Sequence, residues 1–395
     1  MMQYCSRCVY PQMSVNTMVD DDGVCSACGV EEEFQALTDD FWKDRRERFG
    51  DLVNQYRSGG NDYDCIVAVS GGKDSYFQTH VVREFGLKPL LITYHGNNYL
   101  PEGQGNLDRM RDQFDADQLV FGPSVDVLKK LNRIGFELMG DMNWHGHAGI
   151  KIVPMQMAVR FGIPLVFWGE TTWSVAGMFS PDDFVEYNKR TVTEHDLRGY
   201  QADDMIGREG LTRQDLKWLE FPSDEDVMRV GVRGIYIGNY FKWDANAHTE
   251  LVRNRYAFEC ARQPFERTYR MMSNLDDMHE NGLHDYMKFI KFGYGRASDH
   301  SSKDIRSGYM TRDEGIEMVR RYDHVKPRRD LERWLEYVGM SENAFDVIAD
   351  RFRDRRVWWI EDGQWFKQNV WGEPSSYGPV KIEDASFIDG YKKVA

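Results

Sequence analysis

The chain has 395 residues, 41% of them hydrophobic, and carries 64 Asp and Glu against 50 Lys and Arg, a formal net charge of −14. That length asks for two or three domains, or one large α/β domain with additions, and the spread of acidic charge argues against nucleic acid as the main partner, which needs a basic footprint. No signal peptide and no apolar stretch long enough to span a bilayer is found, so no membrane partner is expected; the expected setting is cytoplasmic, where thiols stay reduced and clustered cysteines point to metal.

Four of the six cysteines fall in the first 28 residues: Cys5, Cys8, Cys25 and Cys28. The C-x2-C-x16-C-x2-C spacing is that of a zinc site, each pair offering two thiolates from one tight knuckle. Four thiolates leave no open coordination position, so the expected role is structural. Unmetallated thiols and an iron–sulfur cluster are the alternatives. Asp20-Asp21-Asp22-Gly23 reads as a hairpin turn between the knuckles. Residues 31–58 read as one or two polar helices, and Ser58-Gly59-Gly60-Asn61 marks the expected end of a zinc-knuckle module with linker helices, residues 1–58.

Cys65–Ser75, CIVAVSGGKDS, predicts a buried strand, a tight glycine turn and then a helix carrying Tyr76, Phe77, Val81, Val82 and Phe85 on one side. Gly71 and Gly72 let backbone N–H groups point into one concavity, and the helix start adds free donors and a positive dipole end. Ser70–Ser75 is therefore an anion site suited to phosphate. Lys73 reads as a mobile, solvated charge and Asp74 as a possible Mg²⁺ ligand. The spacing is not that of a Walker A loop, and the bland alternative is an ordinary strand–helix turn.

The pattern then continues in alternation. Lys88–Tyr94 is a second buried strand, whose carboxyl end, with Thr93 and the following His95-Gly96-Asn97-Asn98, lies at the edge where open α/β sheets bind ligands. Helices are expected at Asn106–Phe114, Val125–Met139 and Gly149–Phe161, and strands at Gln118–Phe121 and Ile163–Trp168. The expected fold is α/β with a doubly wound, mostly parallel sheet. His145-Gly146-His147 precedes a helix start and could bind metal, position a phosphate or cap the helix. Gly169-Glu170 ends a strand on the ligand edge, where Glu170 could hold Mg²⁺ or a ribose hydroxyl.

Residues 174–235 weaken in hydrophobic periodicity and are rich in Asp and Glu, which reads as an insertion or lid. Gly234–Phe241 returns to the sheet, and Trp243 to Tyr256 leads into a helix. Gly282–Ser302 starts as an apolar-faced helix with Lys288 and Lys291 on another face. Gly293-Tyr294-Gly295-Arg296-Ala297-Ser298-Asp299-His300 then reads as a flexible loop, with Arg296 suited to phosphate and Asp299 and His300 to acid–base work or Mg²⁺. The nucleotide domain is expected over residues 59–310, and a helical C-terminal region and tail over 311–395. Its helices are expected at Thr311–Asp323, Arg328–Val338 and Ser341–Arg355, and the tail from Gly363 reads as aromatic and irregular, with a weak strand at best. Cys65 reads as a buried strand residue and Cys260 as a helical core residue.

SGGKDS resembles the PP-loop of the ATP pyrophosphatases, which split ATP into AMP and pyrophosphate. With the four-cysteine spacing, the IPLVFWGE strand and HDYMKFIKFGYGRASDH, the chain resembles the N-acetyl sugar amidotransferases, PP-loop enzymes of bacterial surface-polysaccharide and sialic-acid-like sugar pathways. The resemblance runs from Cys5 to the helices after His300 and implies a PP-loop, HUP-like fold and an amidine synthesis. ATP would adenylylate the oxygen of an N-acetyl group on a free or nucleotide-linked sugar, and ammonia would displace AMP. It implies ATP contacts from Ser70, Gly71, Gly72, Lys73, Asp74, Ser75, Thr93 and Gly169, and catalytic roles for Lys73, Asp74, Glu170, Arg296, Asp299 and His300. Substrate contacts would come from His95, Asn97, His145, His147 and Tyr294, with structural Zn²⁺ on the four cysteines and Mg²⁺ beside ATP. Ammonia would come from a separate glutaminase paired with a cyclase-like barrel. A tRNA-modifying PP-loop enzyme and a non-catalytic zinc- and nucleotide-binding scaffold subunit are the alternatives.

Overall fold

The computed structural model describes residues 2–15, 17–58, 63–169, 179–272 and 278–391. Glu170, Thr171, Thr172 and the Gly59-Gly60-Asn61 boundary lie outside the described residues. In chain order the elements begin with α1 (Ser26–Gln35), α2 (Asp39–Gln55), β1 (Cys65–Ala68), α3 (Lys73–Glu84), β2 (Pro89–Tyr94), α4 (Pro101–Phe114) and β3 (Asp117–Phe121). They continue with α5 (Val125–Met139), α6 (Trp144–Phe161), β4 (Leu165–Trp168), α7 (Asp224–Val230), β5 (Arg233–Tyr236) and α8 (Ala245–Tyr256).

β1 to β5 form a five-stranded sheet in the order β3-β2-β1-β4-β5, with every pair parallel. Successive strand residues point to opposite faces. Ile66, Leu90, Ile92 and Val166 meet Leu131 and Ile134 of α5 and Ile152 of α6 on one side. Cys65, Val67, Leu91, Phe167 and Ile235 meet Phe49 of α2, Val81 of α3, Met110 of α4 and Val252 of α8 on the other. Both faces are covered, which is why the central strands read as unbroken apolar runs. The order turns back between β1 and β4, so the crevice beyond their carboxyl ends is the topological switch point at which such sheets bind ligands.

The acidic stretch between β4 and β5 supplies Val192, Leu197, Met205, Leu216 and Leu219 to the α6 side of the core. Gln156 of α6 fastens it by donating to the carbonyls of Lys217 (3.0 Å) and Glu220 (2.6 Å).

The C-terminal part holds α9 (Glu280–Phe292), α10 (Arg296–Arg306), α11 (Arg312–Tyr322), α12 (Arg328–Val338), α13 (Glu342–Asp350), β6 (Trp358–Glu361), β7 (Gln364–Gln368), β8 (Pro374–Pro379) and α14 (Ala385–Asp389). Its own core gathers Leu283, Met287, Trp334, Phe345, Trp358 and Trp365. Trp334 also donates its indole N–H to Asn132 of α5 (2.8 Å). Among the described residues no helix is long and apolar enough to cross a membrane.

Four expectations need correction. The expected helical and irregular C-terminal end contains a three-stranded antiparallel sheet, β6-β7-β8, because Asp362-Gly363, both at positive φ (49° and 70°), makes a two-residue hairpin turn between Trp-rich strands. Arg296, Asp299 and His300 stand on α10 rather than in a flexible loop: only Gly293-Tyr294-Gly295 interrupts the helices. His145 and His147 lie inside the first turns of α6 rather than ahead of it. Cys260 follows α8 in an irregular segment and is half-buried.

Candidate active site

The turn after β1 is built as an anion cradle. Gly71 has φ +90°, and a Cβ there would stand 2.8 Å from the Leu107 nitrogen, so only glycine fits. Ser70 donates its N–H to Ser75 Oγ (2.9 Å), and Gly72 donates its N–H to Ser70 Oγ (3.3 Å), which folds the turn over the start of α3. No side chain caps that helix start. Lys73 is not the solvated lysine expected. It is 1% exposed and its Nζ lies 2.7 Å from Asp74 Oδ2. The other Asp74 oxygen, Oδ1, is buried with no hydrogen-bond partner. An orphaned carboxylate oxygen beside a phosphate cradle fits a Mg²⁺ ligand.

Lys73 lines a cavity of about 580 Å³ together with residues from four other parts of the chain. Tyr10, Ser14 and Val15 of the cysteine module form one wall, Trp243 and Asp244 before α8 another. Arg270, His284, Lys288, Tyr294, Arg296, Asp299 and His300 form a third. The fold thus brings Lys73 of SGGKDS to one space with Tyr294, Arg296, Asp299 and His300 of GYGRASDH, while Gly71 and Gly72 line a separate, smaller pocket with Leu100, Asn106 and Phe258. The lining carries six Lys and Arg side chains against four carboxylates, in a chain whose net charge is −14. Four of those cations are ion-paired, Lys73 with Asp74, Arg270 with Asp304, Lys288 with Asp299 and Arg296 with Asp285, so the lining is densely charged and largely self-compensated.

The third wall is internally braced. Arg296 donates Nε to Asp285 Oδ1 (2.9 Å), and Arg267 reaches the other oxygen of the same carboxylate. Burial would push the Asp285 carboxyl up, but the two guanidinium groups outweigh it and hold it well below the usual range. Asp299 accepts from Tyr10 Oη (3.1 Å) and also pairs with Lys288 and Arg296. Its oxygens are engaged in holding the cysteine module against α10. Tyr294 accepts at its hydroxyl from the Val15 N–H (3.2 Å), a second tie between the same walls. His300 shares a 2.6 Å hydrogen bond between Nδ1 and the Thr268 hydroxyl. Burial first, then Arg270, Arg296 and Lys303, hold it well below the ordinary histidine pKa.

Other residues singled out in the sequence stand outside this cavity. Thr93 is buried in β2 and accepts from Gln118 (3.2 Å). His95 stacks on Tyr99 and meets Gln104 (3.1 Å), and Asn97 reaches Tyr337 (3.4 Å). His145 is fully buried, with Nδ1 on Tyr94 Oη (3.2 Å) and Nε2 on Asn132 (3.0 Å), and burial pushes its pKa down to about 3. His147 faces Asp141 at 3.8 Å. Gly169 also stands outside the lining, packed so closely on Trp243 that a Cβ there would meet the ring at 2.9 Å. Sequence reading missed His284, Lys288 and Arg270. The first two had a signal, being polar residues four apart on one side of a helix that also carries Leu283, Met287, Phe289 and Ile290.

His145, His284 and His300 each have a folded pKa below the unfolded value. The stability they contribute is complete above about pH 6.5 and is lost as pH falls toward the folded pKa, at up to about 1.4 kcal/mol per pH unit for each. The thermal midpoint is therefore expected to be flat above neutrality and to fall on acidification. His145→Asn should show a shallower fall; an unchanged slope would mean that His145 is charged in the folded protein.

The four cysteines converge. Cys5 Sγ lies 3.9 Å from Cys28 Sγ and Cys8 Sγ 3.6 Å from Cys25 Sγ, close to the roughly 3.8 Å between thiolates about 2.3 Å from one tetrahedral zinc. All four are buried. Arg306 of α10 is buried beside them over the Tyr10 ring, and none of its nitrogens has a hydrogen-bond partner. Its neighbours Cys8, Cys25 and Cys28 favour its charge. A guanidinium held without hydrogen bonds against four sulfurs fits an anionic metal–thiolate centre. The cluster is compatible with a structural zinc ion. Arg312 of α11 clasps the knuckle by donating to the carbonyls of Cys8 (3.1 Å) and Cys5 (3.2 Å).

The chain is thus an α/β protein with a parallel five-stranded sheet, a glycine turn after its first strand, and a charged cavity walled on one side by a four-cysteine module. Residues 255–370 match the family model described as the LPS biosynthesis protein WbpG-like, C-terminal domain. That stretch contains the whole third wall of the cavity, from Arg270 to Tyr309. The match fits a sugar-modifying role. No curated protein matches the chain.

Proposed function

We propose that the chain is a PP-loop, ATP-dependent amidotransferase that converts an N-acetyl group of a bacterial surface sugar into an acetamidino group. The observation that carries this reading is the cavity in which Lys73, the residue that follows the glycine pair, meets Arg296 and His300 of the WbpG-like stretch.

An amide oxygen is a poor leaving group, and transfer of AMP from ATP converts it into a good one. The product is an O-adenylyl imidate, from which ammonia displaces AMP. Ser70–Ser75 cradle the departing pyrophosphate, while Lys73 and Arg296 oppose the negative charge that builds at the α-phosphate. Asp74 Oδ1 would hold Mg²⁺, which supplies charge neutralisation on the phosphate oxygens. Glu170 remains a further carboxylate for that task. Tyr294 and Trp243 offer aromatic faces to the sugar or its nucleotide carrier. Ammonia comes from a separate glutaminase delivered through a cyclase-like subunit, a closed route that keeps it from water and protons.

The test is pyrophosphate release from ATP and Mg²⁺ with ammonium chloride, run against free and nucleotide-linked N-acetyl sugars with mass spectrometry of the products. The expected result is AMP formation together with a sugar in which NH replaces oxygen. Turnover on bulk tRNA and none on any sugar would overturn the reading.

A further inference from the structure

We propose that His284 is the proton shuttle of the cavity, held by Asp141 in the tautomer that leaves its Nε2 lone pair facing the nitrogen nucleophile. The proposal rests on the amidine reading. Asp141 follows α5 and is fully buried. Its Oδ1 accepts the Asn143 N–H (3.0 Å) and lies 2.9 Å from His284 Nδ1. Its Oδ2 contacts Arg198. A carboxylate beside Arg198 can only accept, so Nδ1 carries the hydrogen and Nε2 is bare. His284 lines the cavity that holds Lys73 and Arg296, and among the described residues its Nε2 makes no hydrogen bond.

The other histidines do not offer this arrangement. Both ring nitrogens of His145 are tied into the core. His147 does not line the cavity. His300 lines it, but a hydroxyl that can donate or accept stands behind its Nδ1, so its tautomer is not fixed. The groups facing His284 are Asp141, His147 from α6, Arg198 from the acidic stretch, and Asp285 and Lys291 from α9. Burial and this cationic surround keep the ring neutral, as an acceptor must be.

Asp141, His147 and His284 also converge closely enough to hold a metal ion. Asp141 Oδ1 already has two donors and Oδ2 is ion-paired with Arg198, which opposes a cation there; Asp141 Oδ2 and His147 Nε2 nonetheless have no hydrogen-bond partner, so metal content decides between the two uses.

The step balances without a further reactant. The ammonia lone pair forms a C–N bond at the imidate carbon, and the C=N electron pair moves to the sugar nitrogen. His284 Nε2 takes one proton from the added nitrogen and passes it to the sugar nitrogen. The lone pair of the new amino group then forms the C=N bond as the C–O bond to AMP breaks. The products are an amidinium and AMP, and His284 ends neutral.

Two readouts on the full chain test this. In histidine-labelled protein, long-range ¹H–¹⁵N spectra of wild type against His284→Gln assign the ring. The expected pattern is Nδ1–H with bare Nε2, which Asp141→Asn should disturb. An Nε2–H tautomer, or a second metal equivalent beyond the cysteine site that disappears in His284→Gln, overturns the proposal. In turnover, His284→Gln should keep sugar-dependent ATP–pyrophosphate exchange and lose amidine formation by about 100-fold or more, while equal loss of both assigns His284 to binding instead. Absence of sugar-dependent exchange in wild type defeats the amidine reading itself. The tautomer then decides the acceptor role alone.

Discussion

Lys73→Met is expected to lower sugar-dependent pyrophosphate release by about 100- to 1000-fold or more, the usual cost of removing one group aimed at charge that develops in a transition state. Methionine is the instructive replacement. Lys73 is buried and paired with Asp74, so alanine would leave both a void and an unpaired carboxylate. Breaking a buried pair from one side costs up to about 3–5 kcal/mol, and that loss would be mistaken for catalysis. Methionine keeps most of the volume. Adding Asp74→Asn to it removes the uncompensated charge, so the thermal midpoint of the double variant isolates the stability effect; its turnover is not compared, because Asp74 is the proposed Mg²⁺ ligand. The measurements are pyrophosphate release from the single variant and the thermal midpoint of both. A folded Lys73→Met protein that releases pyrophosphate at the wild-type rate would sink the role given to the glycine turn.

Cys25→Ser is expected to act on the fold first and on turnover second. A structural zinc site contributes folding free energy outright. Losing one thiolate should cost several kcal/mol, a fall of roughly 10 °C or more at about 2–4 °C per kcal/mol in a large domain. The second effect follows from the ties between walls. Tyr10 holds Asp299, and Val15 holds Tyr294. A loosened knuckle would free Asp299 from one partner and open that side of the cavity, so activity should fall with metal content. Zinc per chain, the melting curve and pyrophosphate release are read on the same preparation. A zinc-free variant with full activity and an unchanged melt would refute the structural role.

The parts of this molecule that were legible in the sequence are those written locally. Ile66-Val67-Ala68 and Leu90-Leu91-Ile92 are too short for helices and too apolar for an exposed strand, so the parallel core could be read directly. Val125–Met139 was bounded correctly because its apolar residues recur at helical spacing between Ser124 and Gly140. The cysteine spacing carried its own geometry. The Asp362-Gly363 turn was equally local, with Trp358-Trp359 before it and Trp365-Phe366 after it, and the irregular reading of the tail overlooked it. What local pattern does not carry is convergence. His284 and Asp141 are 143 positions apart, and nothing around either one names the other. Lys73 shares its cavity with Arg296 and His300, far along the chain, and nothing in SGGKDS announces that meeting. His145 shows the opposite case, a conspicuous residue between glycine and tryptophan whose partners, Tyr94 and Asn132, belong to the core.

The knuckle at the beginning of the chain is completed by residues near its end. Tyr4 donates its hydroxyl to the carbonyl of Gln368 across 364 positions, and Arg312 clasps the carbonyls of Cys5 and Cys8 across more than 300. On the ribosome, these first residues emerge long before their partners exist. The four thiols can gather as soon as they emerge, but the contacts from Arg312 and Gln368 that fasten the knuckle to the rest of the fold form only after those residues have been translated. Closing so long a loop is slow, and the cavity comes into being only at that final docking, so a nascent or truncated chain carries the glycine turn without the wall that would put it to use.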